Sequence, residues 1–212
     1  MKIAILISGR GSNMQRLIDA VAAPDFPAEI VCVISNRPKA KGLAVAAEAG
    51  IPTKIIDHTA FDSRAAFDAA LGDALEAAGA ELVCYAGFMR ILTDDFAAKW
   101  EGRMVNIHPS LLPAFKGLNV QQQALDAGVT ISGCTVHYIT PALDSGPIIA
   151  QAAVPVLPGD DADTLSARIL KAEHQLYPEA VRMIVTGEVR LEGGRVVTAA
   201  GATPQRFLFQ AD

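Results

Sequence analysis

Short apolar runs alternate with alanine-rich amphipathic segments along the first half of the chain. The apolar runs predict strands over residues 2–7, 30–34, 53–56, 81–85 and 103–107, and the segments between them predict helices over 13–22, 39–49, 63–78 and 91–99. Strands that are apolar throughout and separated by helices are typical of a parallel sheet covered on both faces. The pattern therefore predicts an α/β protein with a three-layer, Rossmann-like fold.

The pattern changes after Pro113. A short helix is predicted over 120–127, two longer strands over 131–139 and 147–155, and a last helix over 163–185, followed by weaker strand signals around 187–198. A turn at residues 143–147 joins the two long strands, so we expect antiparallel or mixed strands in the C-terminal half of a mostly parallel sheet. No linker or repeat interrupts the chain, which indicates a single domain over 1–212.

Composition narrows the class of protein. The 212 residues are 51% apolar, which is enough to bury a sizeable core, and the net charge of -5 argues against a nucleic-acid partner. The three cysteines have neither metal-binding nor redox spacing, and reduced thiols suit the cytoplasm. No apolar run reaches transmembrane length, and the N-terminus lacks a signal-peptide pattern. We therefore expect a cytoplasmic protein that does not bind a membrane.

A glycine loop at residues 7–13 lies between the first predicted strand and the first helix. Gly11, Ser12 and Asn13 place free amides and side-chain donors at a helix N-terminus, where anions bind. A dinucleotide fingerprint would need a third glycine, where Met14 stands, and an acidic residue near Asn36. A monophosphate ligand is therefore favoured, and a tight turn with an ordinary cap is the alternative.

The segment 106–113 carries the strongest candidate chemistry. Asn106 and His108 share one side of a predicted strand that Pro109 ends, so both side chains can converge on one carbonyl oxygen. The alternative is that Asn106 merely ends the strand and His108 is a buried, satisfied imidazole. Asp144 lies in an ordinary turn sequence, but beside His108 its carboxylate would favour the imidazolium. The sequence has no motif for a covalent nucleophile or a metal, and His137 has the parity of a packed strand position.

Five motifs together resemble the phosphoribosylglycinamide formyltransferase family. They are Ile7–Asn13, Ala86–Leu92, Asn106–Pro113, Gly133–His137 and Leu143–Pro147. The resemblance implies formyl transfer from 10-formyltetrahydrofolate to the amine of 5-phosphoribosylglycinamide in purine biosynthesis, by direct attack through a tetrahedral intermediate and without a metal. It also implies small-molecule substrates, no nucleic acid, and a monomer or homodimer.

The same resemblance implies a role for each candidate residue. The catalytic residues would be Asn106, His108 and Asp144; the nucleotide would be held by Gly11, Ser12, Asn13 and Glu173; the folate would be held by Arg64, Met89, Arg90, Ile91, Leu92 and Asn106. Residues 1–100 would form the phosphate-binding half and residues 101–212 the catalytic and folate-binding half. Without the resemblance, Glu173 would be interpreted as a solvated helical glutamate, Arg64 as surface, and Met89 and Leu92 as core.

Residues 118–125 depart from the family pattern. Many relatives carry histidine there, whereas this chain has Asn119 and Gln121 to Gln123, so we expect no acid–base role in this segment. Two other functions stay open: a related folate enzyme, either a methionyl-tRNA formyltransferase or a deformylase, and an inactive nucleotide- or folate-binding protein. The lack of a basic patch disfavours the tRNA enzyme.

Overall fold

The computed structural model describes residues 1–209, which divide into two compact units, Met1–Asn106 and a second that begins at Ile107. The first unit contains strands β1 (Lys2–Ile7), β2 (Glu29–Ser35), β3 (Thr53–Ile55), β4 (Leu82–Tyr85) and most of β5 (Met104–His108), and helices α1 (Ser12–Val21), α2 (Gly42–Glu48), α3 (Arg64–Ala77) and α4 (Asp94–Lys99). The predicted alternation of strands and helices is confirmed.

The strands of the first unit form a parallel sheet in the order β5-β4-β1-β2-β3. β1 is central, and Ile5 pairs with Val33 on one side and Cys84 on the other. All three side chains are fully buried, which is why these strands are apolar throughout. The predicted parallel sheet is confirmed.

Two helices begin three residues later than predicted. The segment predicted as 91–99 becomes helical only at Asp94, because Thr93 is the N-cap and its hydroxyl accepts the N–H of Phe96. The helix predicted over 39–49 is Gly42–Glu48. The first correction matters for function, because it leaves residues 89–92 outside regular structure.

The second unit contains α5 (Val120–Asp126), β6 (Ile131–Tyr138), β7 (Ile148–Pro155), α6 (Ala162–Val185), β8 (Val189–Glu192), β9 (Arg195–Thr198) and β10 (Phe207–Phe209). β6 and β7 are antiparallel, β7 and β10 are parallel, and β8 and β9 form a separate antiparallel pair. The expected mixed strands of this half are confirmed, whereas the sequence did not predict β10. Within residues 1–209, no helix has the length and apolar character that crossing a membrane requires.

Candidate functional site

The glycine loop joins β1 to α1 in the first unit. Gly11 occupies the N-cap of α1 with a φ of 77°, and no side chain caps the helix. A Cβ on Gly11 would lie 3.1 Å from the Cα of Gly42, which is held there because its N–H donates to the carbonyl of Gly9 at 3.1 Å. Ser12 is half-buried and Asn13 is buried. This helix start therefore has uncapped amides and close backbone packing, as an anion site requires.

Asn106 and His108 both lie in β5, two residues apart, so the pleat directs both side chains to the same side of the strand. Asn106 is half-buried, and His108 is buried with 5% of its surface exposed. The strand ends at His108, immediately before Pro109. β5 stops before Pro109 as predicted, one residue beyond the predicted bound of 107, and a regular strand places Asn106 and His108 on one side.

The His108 ring has an oxygen atom near each nitrogen. Nε2 lies 2.9 Å from the carbonyl oxygen of Phe115, to which it can donate, and Nδ1 lies 3.5 Å from Oδ2 of Asp144. The side chains of His108 and Asp144 are only 6% and 10% exposed. Only a ring protonated on both nitrogens can act as a donor to both oxygens. The structure therefore brings together the histidine and the aspartate that the sequence placed 36 residues apart.

Asp144 is held in an unusual backbone conformation with a φ of 45°, in the turn between β6 and β7. Its Oδ2 accepts the N–H of Gly117 at 2.9 Å, and its Oδ1 lies 4.0 Å from Nε2 of His137. Aspartate tolerates the left-handed region better than most side chains do. The carboxylate thus lies between two imidazoles and one backbone amide, a setting beyond ordinary turn chemistry.

His137 is the residue of this cluster that sequence reasoning assigned to packing alone. Its side chain is 3% exposed, and Nδ1 lies 2.8 Å from the carbonyl oxygen of Tyr138, to which it can donate. Burial lowers the pKa of His137, although the bond to Tyr138 and the charge of Asp144 act in the opposite direction. The sequence offered no signal beyond packing for His137, and the pairing of β6 with β7 is irregular between Val136 and His137.

Thr135 fixes the backbone that follows His108. Its buried hydroxyl donates to the carbonyl of Ser110 at 2.7 Å and accepts the N–H of Leu112 at 3.0 Å. The Ser110 hydroxyl in turn lies 2.9 Å from the Phe115 carbonyl that His108 also contacts. These bonds hold residues 110–115 around the imidazole, and the Leu112–Pro113 peptide among them is cis.

The residues that the resemblance assigned to folate lie in the first unit. Arg64 is exposed at the first residue of α3. Met89 and Ile91 are 61% and 56% exposed, and Leu92 is half-buried. The Arg90 guanidinium carbon lies 5.0 Å from the centre of the Phe67 ring. The interpretation of Met89 as a core residue is therefore wrong.

Glu173 lies in α6 of the second unit and is only 6% exposed. Burial raises the pKa of the Cys134 thiol, and the negative charge of Glu173 raises it further. The interpretation of Glu173 as a solvated helical glutamate is therefore wrong. A carboxylate offers acceptor oxygens to hydroxyl donors, so Glu173 has the chemistry of a ligand group for a sugar.

The segment that departs from the family pattern forms the approach to α5. Asn119 is exposed with a φ of 55°, and the Gln123 side-chain amide donates to the carbonyl of Leu118 at 2.8 Å. Lys116 donates to the Ser145 hydroxyl. Among residues 1–209, no group of three or more His, Cys, Asp or Glu side chains is arranged to hold a metal ion.

Comparison with known proteins shows similarity over almost the whole chain. The formyl transferase family model matches residues 1–181. Phosphoribosylglycinamide formyltransferase of Haemophilus influenzae is 41% identical over 204 residues, which is 96% of each chain. The bovine trifunctional purine biosynthetic protein adenosine-3 is 53% identical over 92% of this chain, which spans only 19% of that larger relative. The crystal structure of phosphoribosylglycinamide formyltransferase from Anaplasma phagocytophilum is 45% identical, with a TM-score of 0.90 over 99% of this chain and 98% of that one.

Proposed function

The chain belongs to the formyl transferase family, and we propose that it transfers the formyl group of 10-formyltetrahydrofolate to the amine of 5-phosphoribosylglycinamide in purine biosynthesis. The observation that carries this proposal is the buried pair formed by His108 and Asp144. A carboxylate that faces a buried imidazole can fix the orientation of the ring, and an N–H of a ring so oriented can donate to a developing anion.

In the proposed reaction, the neutral amine of the nucleotide attacks the formyl carbon directly. A new C–N bond forms, negative charge moves to the formyl oxygen, and the tetrahedral intermediate collapses as the bond from carbon to the folate nitrogen breaks. The amine loses a proton and the folate nitrogen gains one, so the products are the formylated nucleotide and tetrahydrofolate. Asp144 assists this proton transfer, directly or through water.

Two donors stabilise the oxyanion in this proposal, the side-chain amide of Asn106 and the protonated ring of His108. Their common side of β5 supports the pairing. In the structure, Nε2 of His108 faces the carbonyl of Phe115, while Nδ1 faces Asp144. The formyl oxygen must therefore replace the Phe115 carbonyl at Nε2, and we propose that the backbone near residue 115 moves when the substrates bind.

The remaining candidates bind the two substrates. Gly11, Ser12 and Asn13 hold the phosphate, which the uncapped start of α1 supports, and Glu173 accepts hydrogen bonds from the ribose hydroxyls. Met89, Arg90, Ile91 and Leu92, with Asn106, enclose the pterin ring of the folate, and Arg64 attracts its glutamate carboxylate. The exposed apolar side chains in this segment support that role.

We also propose that the chain acts as one formyltransferase domain, with its phosphate-binding half at residues 1–100 and its catalytic and folate-binding half at 101–212. Of the folate candidates, Arg64 and residues 89–92 fall in the first of these halves and Asn106 falls in the second. The three cysteines are buried and reduced, which favours a reducing compartment, the cytoplasm. A monomer or homodimer acting on small molecules fits this proposal, and light scattering would measure the mass.

One experiment separates the proposed reaction from its alternatives. Purified protein is incubated with one equivalent of 10-formyltetrahydrofolate, with and without 5-phosphoribosylglycinamide, and both products are quantified by mass spectrometry. We expect equal amounts of formylated nucleotide and tetrahydrofolate, formed only when the amine is present. Loss of the formyl group to water without the amine would instead indicate a deformylase, and no reaction would indicate a binding protein or an enzyme with another formyl acceptor.

A further inference from the structure

The segment Met89–Leu92 has an unusual combination of exposure and attachment. It lies between β4 and α4 in neither helix nor strand, and Met89 and Ile91 expose more than half of their apolar side chains. Exposed loops with few internal contacts are usually among the mobile parts of a fold. Here, however, buried polar side chains hold both ends of the segment.

The first attachment is the hydroxyl of Ser8. It accepts the N–H of Met89 at 2.8 Å and donates to Oδ1 of Asn36 at 2.6 Å. Ser8 and Asn36 are 5% and 1% exposed, so the bond between their side chains is shielded from bulk water. Because the hydroxyl is used as donor and acceptor at once, its rotamer is fixed and the Met89 backbone is fixed with it.

The second attachment is the carboxylate of Asp68, whose Oδ2 accepts the N–H of Thr93 at 2.7 Å. Asp68 is 3% exposed, and among the described residues its Oδ1 has no hydrogen-bond partner. Burying a carboxylate is costly, and here the Thr93 amide provides the compensating bond. The neighbouring Phe67 ring, also buried, supports the Arg90 guanidinium from the same helix. The segment is thus held at its first residue Met89, at Arg90, and at Thr93 directly after it.

We propose that Ser8 and Asp68 are positioning residues that hold the Met89–Leu92 backbone in the conformation that receives the pterin ring of a reduced folate. This inference rests on the proposed function. A loop ordered in advance loses less conformational freedom when a ligand binds, so part of the folate affinity comes from the two attachments and not from contacts with the ligand. Loss of either attachment weakens folate binding, while nucleotide binding is preserved when Asp68 is the residue changed.

The test compares Asp68→Ala with Asp68→Asn, which keeps an acceptor oxygen, and with Asp73→Ala, which changes an exposed aspartate on the same helix. Tetrahydrofolate binding is measured by calorimetry, the KM for each substrate by initial rates, and exchange of the Met89 and Thr93 amides by NMR. We expect Asp68→Ala to raise the Kd and KM for folate about tenfold, with a change of less than about twofold in nucleotide KM. Both amides should exchange faster, Asp68→Asn should lie closer to wild type, and Asp73→Ala should match wild type.

Ser8→Ala provides an independent variant if Asp68→Ala does not fold, and it should weaken tetrahydrofolate binding by a similar factor. The positioning role would be overturned if either folded variant had an unchanged Kd for tetrahydrofolate. It would also be overturned if Asp68→Ala weakened folate and nucleotide binding equally, or if the wild-type protein did not bind tetrahydrofolate. The calorimetric result does not depend on turnover. If wild type binds tetrahydrofolate in the expected way but formylates no nucleotide, the proposed function fails while the positioning role stands.

Discussion

Replacing Gly146 by alanine should disable the enzyme without touching any proposed catalytic side chain. Gly146 is buried in the turn between β6 and β7, and a Cβ built on it falls far inside 3.0 Å of the Tyr138 carbonyl oxygen. The Tyr138 N–H donates to the carbonyl of Pro147 at 3.0 Å, so backbone pairing holds both sides of the contact. The clash can be relieved only by moving the turn.

The size of that movement follows from the geometry. Ordinary van der Waals separation requires the turn to shift by more than about 1 Å. Asp144, two residues earlier, would lose its 2.9 Å bond to the Gly117 N–H and its approach to His108. A misplacement of this size at a reacting centre typically costs about 100-fold in rate. We expect kcat for formyl transfer to fall by about that factor, with a loss of about 1–3 kcal/mol in the free energy of unfolding.

The assay measures kcat by release of tetrahydrofolate, at a temperature where circular dichroism shows each variant to be folded. Gly187→Ala is the control, because a Cβ added to Gly187 meets no atom within 4 Å, so the change introduces only the backbone strain of its positive φ. It should lose about 1 kcal/mol of stability and keep its kcat. A folded Gly146→Ala variant with kcat within about twofold of wild type would refute the reasoning, because the turn would then tolerate displacement.

Four other changes test separate parts of the structure. Asn106→Asp replaces a donor by an acceptor and should lower kcat about 100- to 1000-fold; near-normal turnover would exclude the oxyanion role. Glu173→Gln should raise the nucleotide KM about tenfold and leave the folate KM unchanged, and equal rises in both KM values would contradict a ribose contact. Gly42→Ala should also raise the nucleotide KM, because an added Cβ would lie 3.3 Å from the Gly11 Cα and press on the glycine loop; a KM equal to that of wild type would contradict this. Arg168 lowers the pKa of Asp160 to about 2, so this pair stabilises the fold above about pH 4 and loses its effect as the pH falls toward 2. Asp160→Asn should therefore cost about 1–2 kcal/mol in urea unfolding at pH 7 and little at pH 2; an equal loss at both pH values would contradict the assignment.

Local pattern was sufficient for most of the elements. β1 is found at the predicted residues 2–7, and α6 begins one residue before its predicted start. Both elements depend on adjacent residues, because an apolar run forms β1 and the Asp161 N-cap precedes the apolar periodicity of α6. β10 escaped prediction because its pairing is not local. It is a strand through its pairing with β7, and the guanidinium of Arg206 beside it donates to the carbonyls of Ile148 and Ile149.

The candidate site also has some features that the sequence could predict and others that it could not. The shared side of Asn106 and His108 follows from strand parity, so the sequence could predict it. That Asp144 faces His108, that His137 lies 4.0 Å from the same carboxylate, and that Glu173 is buried depend on contacts between residues distant in the chain. The resemblance to a family indicated Asp144 and Glu173, whereas His137 required the coordinates.

By itself, the sequence determined the alternating strands and helices, the glycine loop at the start of α1, and the polar end of β5, because each depends on the properties of adjacent residues. Only the tertiary structure decided the environment of those groups. Packing between separate strands and loops creates the turn that holds Asp144, the contact of the Phe115 carbonyl with His108, and the attachments of residues 89–93. The same packing excludes solvent, which strengthens these polar contacts.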